Sequence, residues 1–419
     1  MTARRLSAFA ALLIALTGCH DDPEVVTILV GGTATGLTIE AVGGSSTATA
    51  PAVAATGAGG NGGAVNLSSN ETMNVGVVFT ALTAPTAPTA PATGTTIATG
   101  AIAADINQAG NVLLSGIYTD GLSGAPPRLI QSTTGDIVLS GTLTAFDPGA
   151  GATQAITLDA PNGTVYITGT LRMANTDGTA SADAVGALIV TARRVVITGT
   201  IDSTGESSTT GAGGNGGSVT VTVGAGGDHV YFTAGSIDTS GGTAGINTAG
   251  NGGAVALTAA AKLYVFGTIT TSGGACNSTA ATMTGGTAGT VTLQGPGGVD
   301  VSTTILAQGG SVTTTNPGAT GGNGNTIAIS GTGVPPVRVN GTIRTSGGAV
   351  SAPDVGAGLA GGNAGAINLG TNGAPLLSLE TGRGTYSTAG GAAAGAAGSG
   401  AALTIESLAG ADVTVQGTL

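Results

Sequence analysis

Short runs of alternating apolar and polar residues recur along the chain and predict β-strands. In each run Val, Ile or Leu occupies every second position, as in Val219-Thr220-Val221, so one face of the strand is apolar. Glycine-rich turns separate the runs, and they are not joined by stretches with the 3.6-residue apolar period of a helix. The pattern therefore predicts an all-β chain.

The strand pattern repeats at a nearly constant interval. Successive copies of one apolar position lie 36, 36, 36, 40 and 36 residues apart, at Val219, Val255, Val291, Ile327, Ile367 and Leu403. A second pattern, Val-x-Val-x-Gly-x-Ile, lies between these copies, for example at residues 263–269 and 337–343. One repeat buries too few aliphatic side chains to offset the cost of ordering it, whereas stacked repeats share a core. The sequence therefore predicts a parallel β-helix (β-solenoid) over residues 28–419, with about eleven coils at about 4.8 Å each.

Asparagine recurs at one position of the glycine-rich turns, within Gly-Gly-Asn-Gly-Gly. Asn tolerates left-handed backbone and hydrogen-bonds locally, and stacked Asn side chains form ladders. We therefore predict a structural turn ladder, formed by Asn61, Asn215, Asn251, Asn323 and Asn363.

Two regions depart from the repeat. Residues 83–95 include three Thr-Ala-Pro triplets, and proline lacks the N–H that a strand ladder requires. We expect an extended loop there rather than a linker, because repeats lie on both sides of it. The chain ends at Leu419 inside a strand pattern, and an uncapped final coil has an open strand edge. Either that last strand is short enough to be harmless, or it docks on another surface.

Composition removes several classes of function. The 419 residues include 79 Gly, two His, two Cys and no Trp, and 41% are hydrophobic, which argues against disorder. The net charge of −11 disfavours binding to nucleic acid. No cofactor is expected, because the glycine-rich runs lack the following helix and Lys of a phosphate loop. No metal is expected either, because the turns lack the recurring Asp of calcium-binding solenoids.

The N-terminus has the features of an export signal. Arg4 and Arg5 precede an apolar stretch, residues 8–16, that is too short to span a bilayer. The Leu-Thr-Gly-Cys sequence that follows resembles the bacterial lipobox. This resemblance implies a lipoprotein signal peptide over residues 1–18, lipid attachment at Cys19 and a tether over 19–27; the alternative is a plain signal peptide with an incidental Cys. Since Cys276 then lacks a partner, no disulfide is expected.

The Gly-Gly-Asn-Gly-Gly turns and Val-x-Val-x-Gly-x-Ile strands together resemble glycine-rich, haemagglutinin-like or pectin-lyase-like β-helix proteins of bacterial surfaces. The resemblance implies a right-handed helix, and no catalytic motif of the family carries over to a residue of this chain. We expect a non-enzymatic lipoprotein of the outer membrane or cell surface, a rigid rod for adhesion or envelope structure. Its expected partners are the membrane, through Cys19, and a glycan or another surface protein.

Two other functions fit the sequence less well. A polysaccharide lyase or hydrolase would need paired carboxylates, and the speculative glycan site is Asp228, His229 and Asp238, whose side chains would have to converge on one exposed face. An ice- or surface-binding solenoid would need a flat, regular array of outward Thr side chains.

Overall fold

The computed structural model describes residues 37–40, 43–44, 60–68, 73–75, 82–97, 99–102, 104–120, 128–145, 155–173, 185–278, 283–315, 317–331, 337–351, 358–370, 379–381, 384–406 and 413–415. Within these ranges the regular structure consists of β-strands, and no helix occurs. A helix long and apolar enough to cross a membrane is accordingly not found in this part of the chain. The expected signal peptide, Cys19 and the tether lie outside the described residues.

The strands form long parallel sheets in which each coil lies on the next. The first face consists of Val65–Ser68, Ile106–Gln108, Arg128–Ser132, Val219–Val223, Val255–Thr258, Val291–Gln294, Ile327–Ser330, Ile367–Leu369 and Leu403–Glu406. The second face consists of Met73–Val75, Thr95–Thr96, Val112–Leu114, Ile137–Leu139, Val230–Phe232, Leu263–Val265, Val299–Val301, Val337–Val339, Leu379–Thr381 and Val413–Val415. Two longer strands, Ile156–Ile167 and Leu188–Ile197, join these faces into one sheet of 21 strands.

A second sheet of eleven strands forms the third face. Its strands are Leu37–Glu40, Gly100–Ile102, Ile117–Asp120, Thr142–Ala145, Thr170–Arg172, Thr200–Asp202, Ser236–Asp238, Thr268–Thr270, Thr304–Leu306, Thr342–Arg344 and Gly384–Ser387. A small sheet further out contains Cys276–Asn277, Val312–Thr313 and Val350–Ser351.

The register confirms the all-β, parallel and stacked architecture that the sequence predicts. Val219 pairs with Val255 and Val255 with Val291, and the row continues without a slip to Leu403. The inward side chains of the three faces are almost all aliphatic and at most a few per cent exposed, and they form one continuous core. Because each coil places a similar aliphatic over the one below, the interior stays filled along the stack.

The N-terminal repeat lies on the last coil, not on the coil that follows it in sequence. Leu37–Glu40 pairs with Gly384–Ser387, Val65–Ser68 with Leu403–Glu406, and Met73–Val75 with Val413–Val415. The stacking extends through the turns, where Gly44 N–H donates to Gly398 O at 2.8 Å. We call residues 37–75 the N-terminal coil. It covers the C-terminal strand edge that the sequence leaves open.

The proline segment runs along the outside of the second face. Thr95 pairs with Val112, at the opposite end of the stack from Val75. Ala87 and Ala90 pack against the outward side chains of three successive coils, Val138, Tyr166 and Val196. We call residues 82–97 the strap. The loop expected at 83–95 falls within this segment, whose recorded contacts on the stack are those of Ala87 and Ala90.

The Thr-Ala-Pro triplet suits this course. A polyproline helix has three residues per turn, so each triplet advances about 9 Å, close to the roughly 10 Å of two coils. The side chains sort by position within the triplet: Pro85, Pro88 and Pro91 are half-buried, as are Ala87 and Ala90, whereas Thr83, Thr86 and Thr89 are exposed. The second and third triplets therefore repeat the same Ala contact along the stack, whereas Ala84 of the first triplet is exposed.

From about residue 203 onward each coil carries two glycine-rich arms that pack backbone to backbone. Their N–H groups donate alternately from one arm to the other: Gly242 to Gly214 O at 2.8 Å, Gly250 to Gly242 O at 2.9 Å, Gly274 to Gly250 O at 2.8 Å. The series continues through every later coil to Gly60 in the N-terminal coil. We call these paired arms the glycine waist. Beyond it lies a second small core of Ala244, Ala249, Cys276, Met283, Val312, Ala319, Val350, Leu359, Ala393 and Ala394.

The turn asparagines lie at the edge of the waist and bridge successive coils. Asn215 Oδ1 accepts the backbone N–H of Asn251, and Asn323 Oδ1 accepts that of Asn363, at 2.8 and 2.9 Å. Asn61 contributes its backbone carbonyl, which accepts the N–H of Gly400 at 2.6 Å. The backbone of these asparagines is not left-handed; among the described non-glycine residues only Asn247 has a positive φ, of 64°. Asn is suited to this position because its side-chain oxygen reaches the next coil.

Candidate functional site: the outer strip of the second face

The outward side chains of the second face form one row along the rod. Register places Tyr166 beside Val196, then Tyr231, Tyr264, Asp300 and Arg338. The strap covers the Tyr166 end of this row. The other end, with the charged residues that flank it, joins aromatic contacts to ion pairs. We call this group the outer strip: Arg194, Asp228, His229, Tyr231, Lys262, Tyr264, Asp300 and Arg338.

Asp228 lies in a polar cluster with His229 and with Arg194 from the preceding coil. Arg194 donates to Asp228 Oδ2 through Nε at 3.0 Å and also through Nη2. His229 Nε2 lies 3.2 Å from Asp228 Oδ1, while His229 Nδ1 accepts the backbone N–H of Lys262 at 3.0 Å. The acceptor role of Nδ1 assigns the Nε2–H tautomer. Neither ring nitrogen has a lone pair left for a substrate.

The aromatic part of the outer strip packs against itself. Tyr231 and Tyr264 stack with ring centroids 5.3 Å apart at an interplanar angle of 14°. The His229 ring stands edge-on to both, at 5.5 and 5.8 Å. Since successive coils lie about 4.8 Å apart, outward aromatic residues at equivalent positions have to stack. Both tyrosine side chains are half-buried.

Asp300 is the second anionic centre of the strip. It is only 4% exposed. Arg338 donates two hydrogen bonds to its carboxylate, of 2.9 and 2.8 Å, and Lys262 Nζ lies 2.8 Å from Asp300 Oδ2. The same ammonium group lies 5.0 Å from the centre of the Tyr264 ring. A nearly buried carboxylate requires such compensation, because loss of hydration costs several kcal/mol per ion.

The titration of these groups favours a structural role over acid–base chemistry. Burial acts to raise the pKa of Asp228, but the hydrogen bonds from Arg194 and the nearby positive charges outweigh it and lower the pKa below its usual range. Burial raises the pKa of Tyr231 and of Tyr264. A general acid needs a carboxyl pKa raised towards the working pH. Asp228 is shifted in the opposite direction.

The structure brings together two of the three residues of the predicted glycan site. Asp228 and His229 are in contact, whereas Asp238 lies on the third face. There its Oδ1 accepts the backbone N–H and the hydroxyl of Ser240, at 2.9 and 2.6 Å, which stabilises a turn. The three side chains do not converge on one face, which the enzymatic alternative required.

The third face carries a file of hydroxyl side chains. We call this row of outward, half-exposed side chains on successive coils the hydroxyl file. It consists of Thr142, Thr170, Thr200, Ser236, Thr268, Thr304, Thr342 and Thr385. The adjacent outward row is mixed and includes Arg172, Asp202 and Leu306. The regular array that a surface-binding solenoid needs is therefore one row wide.

Comparison of the chain with protein-family models, with curated proteins and with solved structures finds no match in any of the three. Among the residues that the structure describes, no group of three or more His, Cys, Asp and Glu side chains is placed to hold a metal ion.

Sequence reasoning missed most of the outer strip. It singled out Asp228 and His229 because they are adjacent, but it did not pair Asp228 with Arg194 or find the cluster at Asp300. Arg194 precedes Asp228 by 34 residues and Asp300 precedes Arg338 by 38, close to one repeat in each case. An alignment of the repeats on their inward aliphatics would have placed these opposite charges on neighbouring coils.

Proposed function

We propose that this protein is a non-enzymatic, exported lipoprotein that forms a rigid rod for adhesion or envelope structure. In this proposal Cys19 carries the lipid, the rod is a right-handed parallel β-helix of about eleven coils, and the location is the outer membrane or cell surface. The observation that carries it is the continuous parallel strand pairing from Val112 through Leu403 to the N-terminal coil, with one register shift between Ala160 and Thr164, around an aliphatic core that extends to Leu403. A single continuous core resists bending, which is the property a spacer needs.

The carboxylate and imidazole groups of the outer strip support this proposal over an enzyme. The two carboxylates of the outer strip are both held by cations, and His229 has both nitrogens engaged. A glycosidase needs one carboxyl group that donates a proton and a second that is free to act as base or nucleophile. The fold itself does not decide the matter, because one fold hosts many functions.

Membrane fractionation of the full-length protein tests the lipid anchor. Wild-type protein and Cys276→Ala should partition into detergent and with membranes, whereas Cys19→Ser should be soluble. Cys276→Ala is the matched control because it removes the other cysteine, which is buried. Wild-type protein as soluble as Cys19→Ser would refute the anchor, and turnover of any glycan on an array would favour the enzyme.

The hydroxyl file supports surface binding as a second candidate function. Each Thr presents a methyl and a hydroxyl group at the coil spacing of about 4.8 Å, which suits a repetitive surface such as ice or a crystalline polysaccharide. Adsorption to either surface should then fall for Thr268→Lys, in the middle of the file, and not for Thr220→Lys, an outward position on the first face. Equal adsorption by these two variants would exclude the file as the binding surface.

A further inference from the structure

We propose that the rod stands on its anchoring membrane with the Val413–Val415 end towards the lipid and the end formed by residues 95–120 outward. This inference rests on the proposed lipid at Cys19 and adds the direction of the rod. Chain order alone would suggest the reverse, since residues 95–120 follow the anchor by fewer residues than the C-terminus does. The position of the N-terminal coil is what inverts the order.

The N-terminal coil fixes where the anchored segment leaves the rod. Its first strand, Leu37–Glu40, is the end strand of the third face, and within the described part of the chain it pairs with Gly384–Ser387 alone. The same coil pairs with the last coil on the other two faces, at Leu403–Glu406 and Val413–Val415. The chain that precedes Leu37 therefore enters at the C-terminal end of the stack.

The length of the intervening chain keeps the lipid near that end. Cys19 precedes Leu37 by 18 residues, and a random coil of that length would have a root-mean-square end-to-end distance of roughly 20–25 Å. The rod is about twice as long, on the order of 50 Å for eleven strands at about 4.8 Å. The distant end of the rod is thus held away from the bilayer by the rod itself.

The strap makes this arrangement possible. After the N-terminal coil the chain has to return to the other end of the stack before the next coil begins at Thr95. Nineteen residues lie between Val75 and Thr95, and the 20 residue steps from one to the other would reach about 62 Å in polyproline conformation, more than the stack requires. The strap contacts at Ala87 and Ala90 show this return path on the second face.

The outward end then presents different surfaces from the anchored end. Among the residues that the structure describes, Gly100–Ile102 pairs on one side only, with Ile117–Asp120. Ile117, on the next strand, is 66% exposed, the most exposed large hydrophobic side chain described. These features face away from the membrane in the proposed orientation, at the end that another surface meets first.

Energy transfer from a labelled cysteine to acceptor lipids tests the orientation. Full-length lipidated protein is incorporated into phospholipid vesicles with a headgroup acceptor, carrying Ala396→Cys near the C-terminal end or Asn107→Cys near the other. Both positions are exposed, whereas native Cys276 is buried and is not expected to react. We expect severalfold more transfer from the label at 396 than from the label at 107. Equal transfer, as from a rod lying flat, or more transfer from 107 would overturn the proposal.

Two further variants separate the possible causes of failure. In a Cys19→Ser background both labels should lose energy transfer to the acceptor lipids. If protein with Cys19 intact also fails to associate with vesicles, the lipid anchor is refuted, and the orientation with it. Gly60→Val should weaken the seating of the N-terminal coil, because a Cβ at Gly60 would lie 1.9 Å from Gly398 O. The difference between the labels should then shrink. Hydrogen exchange shows whether the N-terminal coil of Gly60→Val has come loose. If it has, and the label at 396 still transfers as much more energy than the label at 107 as in the wild type, the N-terminal coil does not set the direction of the rod.

Discussion

Substitution of Gly250 by Ala tests the role of the glycine waist. Gly250 sits between two coils, where its N–H donates to Gly242 O and its carbonyl accepts the N–H of Gly274. A Cβ at this position would lie 1.7 Å from Gly214 O, whereas real Cβ contacts are essentially never shorter than 3.0 Å. The nearest atoms are backbone, so no side chain can rotate away. The arms would have to separate by more than about 1 Å.

The expected cost follows from that separation. Overpacking costs about 1–3 kcal/mol, and the two backbone hydrogen bonds that would be strained contribute about 0.5–1.5 kcal/mol each. We therefore expect Gly250→Ala to lower the free energy of unfolding by roughly 2–6 kcal/mol. In a stacked architecture the loss should spread first to the adjoining coils.

Gly224→Ala is the matched control. Nothing lies within 4 Å of a Cβ at Gly224, and its φ is not in the left-handed region. Its free energy of unfolding should change by no more than about 0.5 kcal/mol, or rise slightly because Ala restricts the unfolded chain. Urea unfolding measures both, with hydrogen exchange of peptides around residues 240–255 to locate the change. A midpoint for Gly250→Ala equal to that of the control would refute the close-packing explanation of the glycine content.

Three further predictions concern the outer strip and the free thiol. Asp300→Asn should destabilise the protein by roughly 1–3 kcal/mol in thermal unfolding, because two cations lose a nearly buried partner but remain partly hydrated; an unchanged Tm would contradict this. Folding lowers the pKa of Asp228, so its contribution to the free energy of unfolding is present above the unfolded pKa of about 3.8 and is lost as the pH falls through the folded pKa. Asp228→Asn should therefore be less stable than the wild type at neutral pH and equally stable in acid. A stability difference that does not change with pH would be inconsistent with this. Burial raises the pKa of the Cys276 thiol, whose Sγ donates to Thr284 O at 3.2 Å; it should react with a thiol reagent only on unfolding, and fast reaction in the native protein would disprove its burial.

The parallel stack was accessible from the sequence because it depends on local pattern and period. Alternating aliphatics specify which side of each strand is buried, and a constant spacing places equivalent side chains over one another, as in the row from Val219 to Leu403. The recurring Asn of the turns also follows from the period, and Asn215, Asn251, Asn323 and Asn363 bridge coils. These features need only that neighbouring repeats lie in register.

Other features depended on contacts that no single repeat specifies. The ion cluster of Arg194 and Asp228 joins residues 34 positions apart, so neither coil contains it alone. The glycine waist requires two arms of one coil to meet the arms of the next, which glycine content by itself does not indicate. Both features arise where chain segments distant in sequence come close together, and the composition of the chain does not show which segments do so.

The sequence by itself determined that the described repeats form parallel strands with an aliphatic interior. It did not determine the order in which the coils stack, because the edge of one coil is complementary to the edge of almost any other. A free strand edge exposes unpaired N–H and C=O groups, and the repeat of residues 37–75 satisfies those of the last coil, at Leu403–Glu406 and Val413–Val415. Only the tertiary structure decided that the N-terminal coil pairs with the last coil. That pairing requires an unpaired strand edge on the last coil and a strap long enough to span the stack.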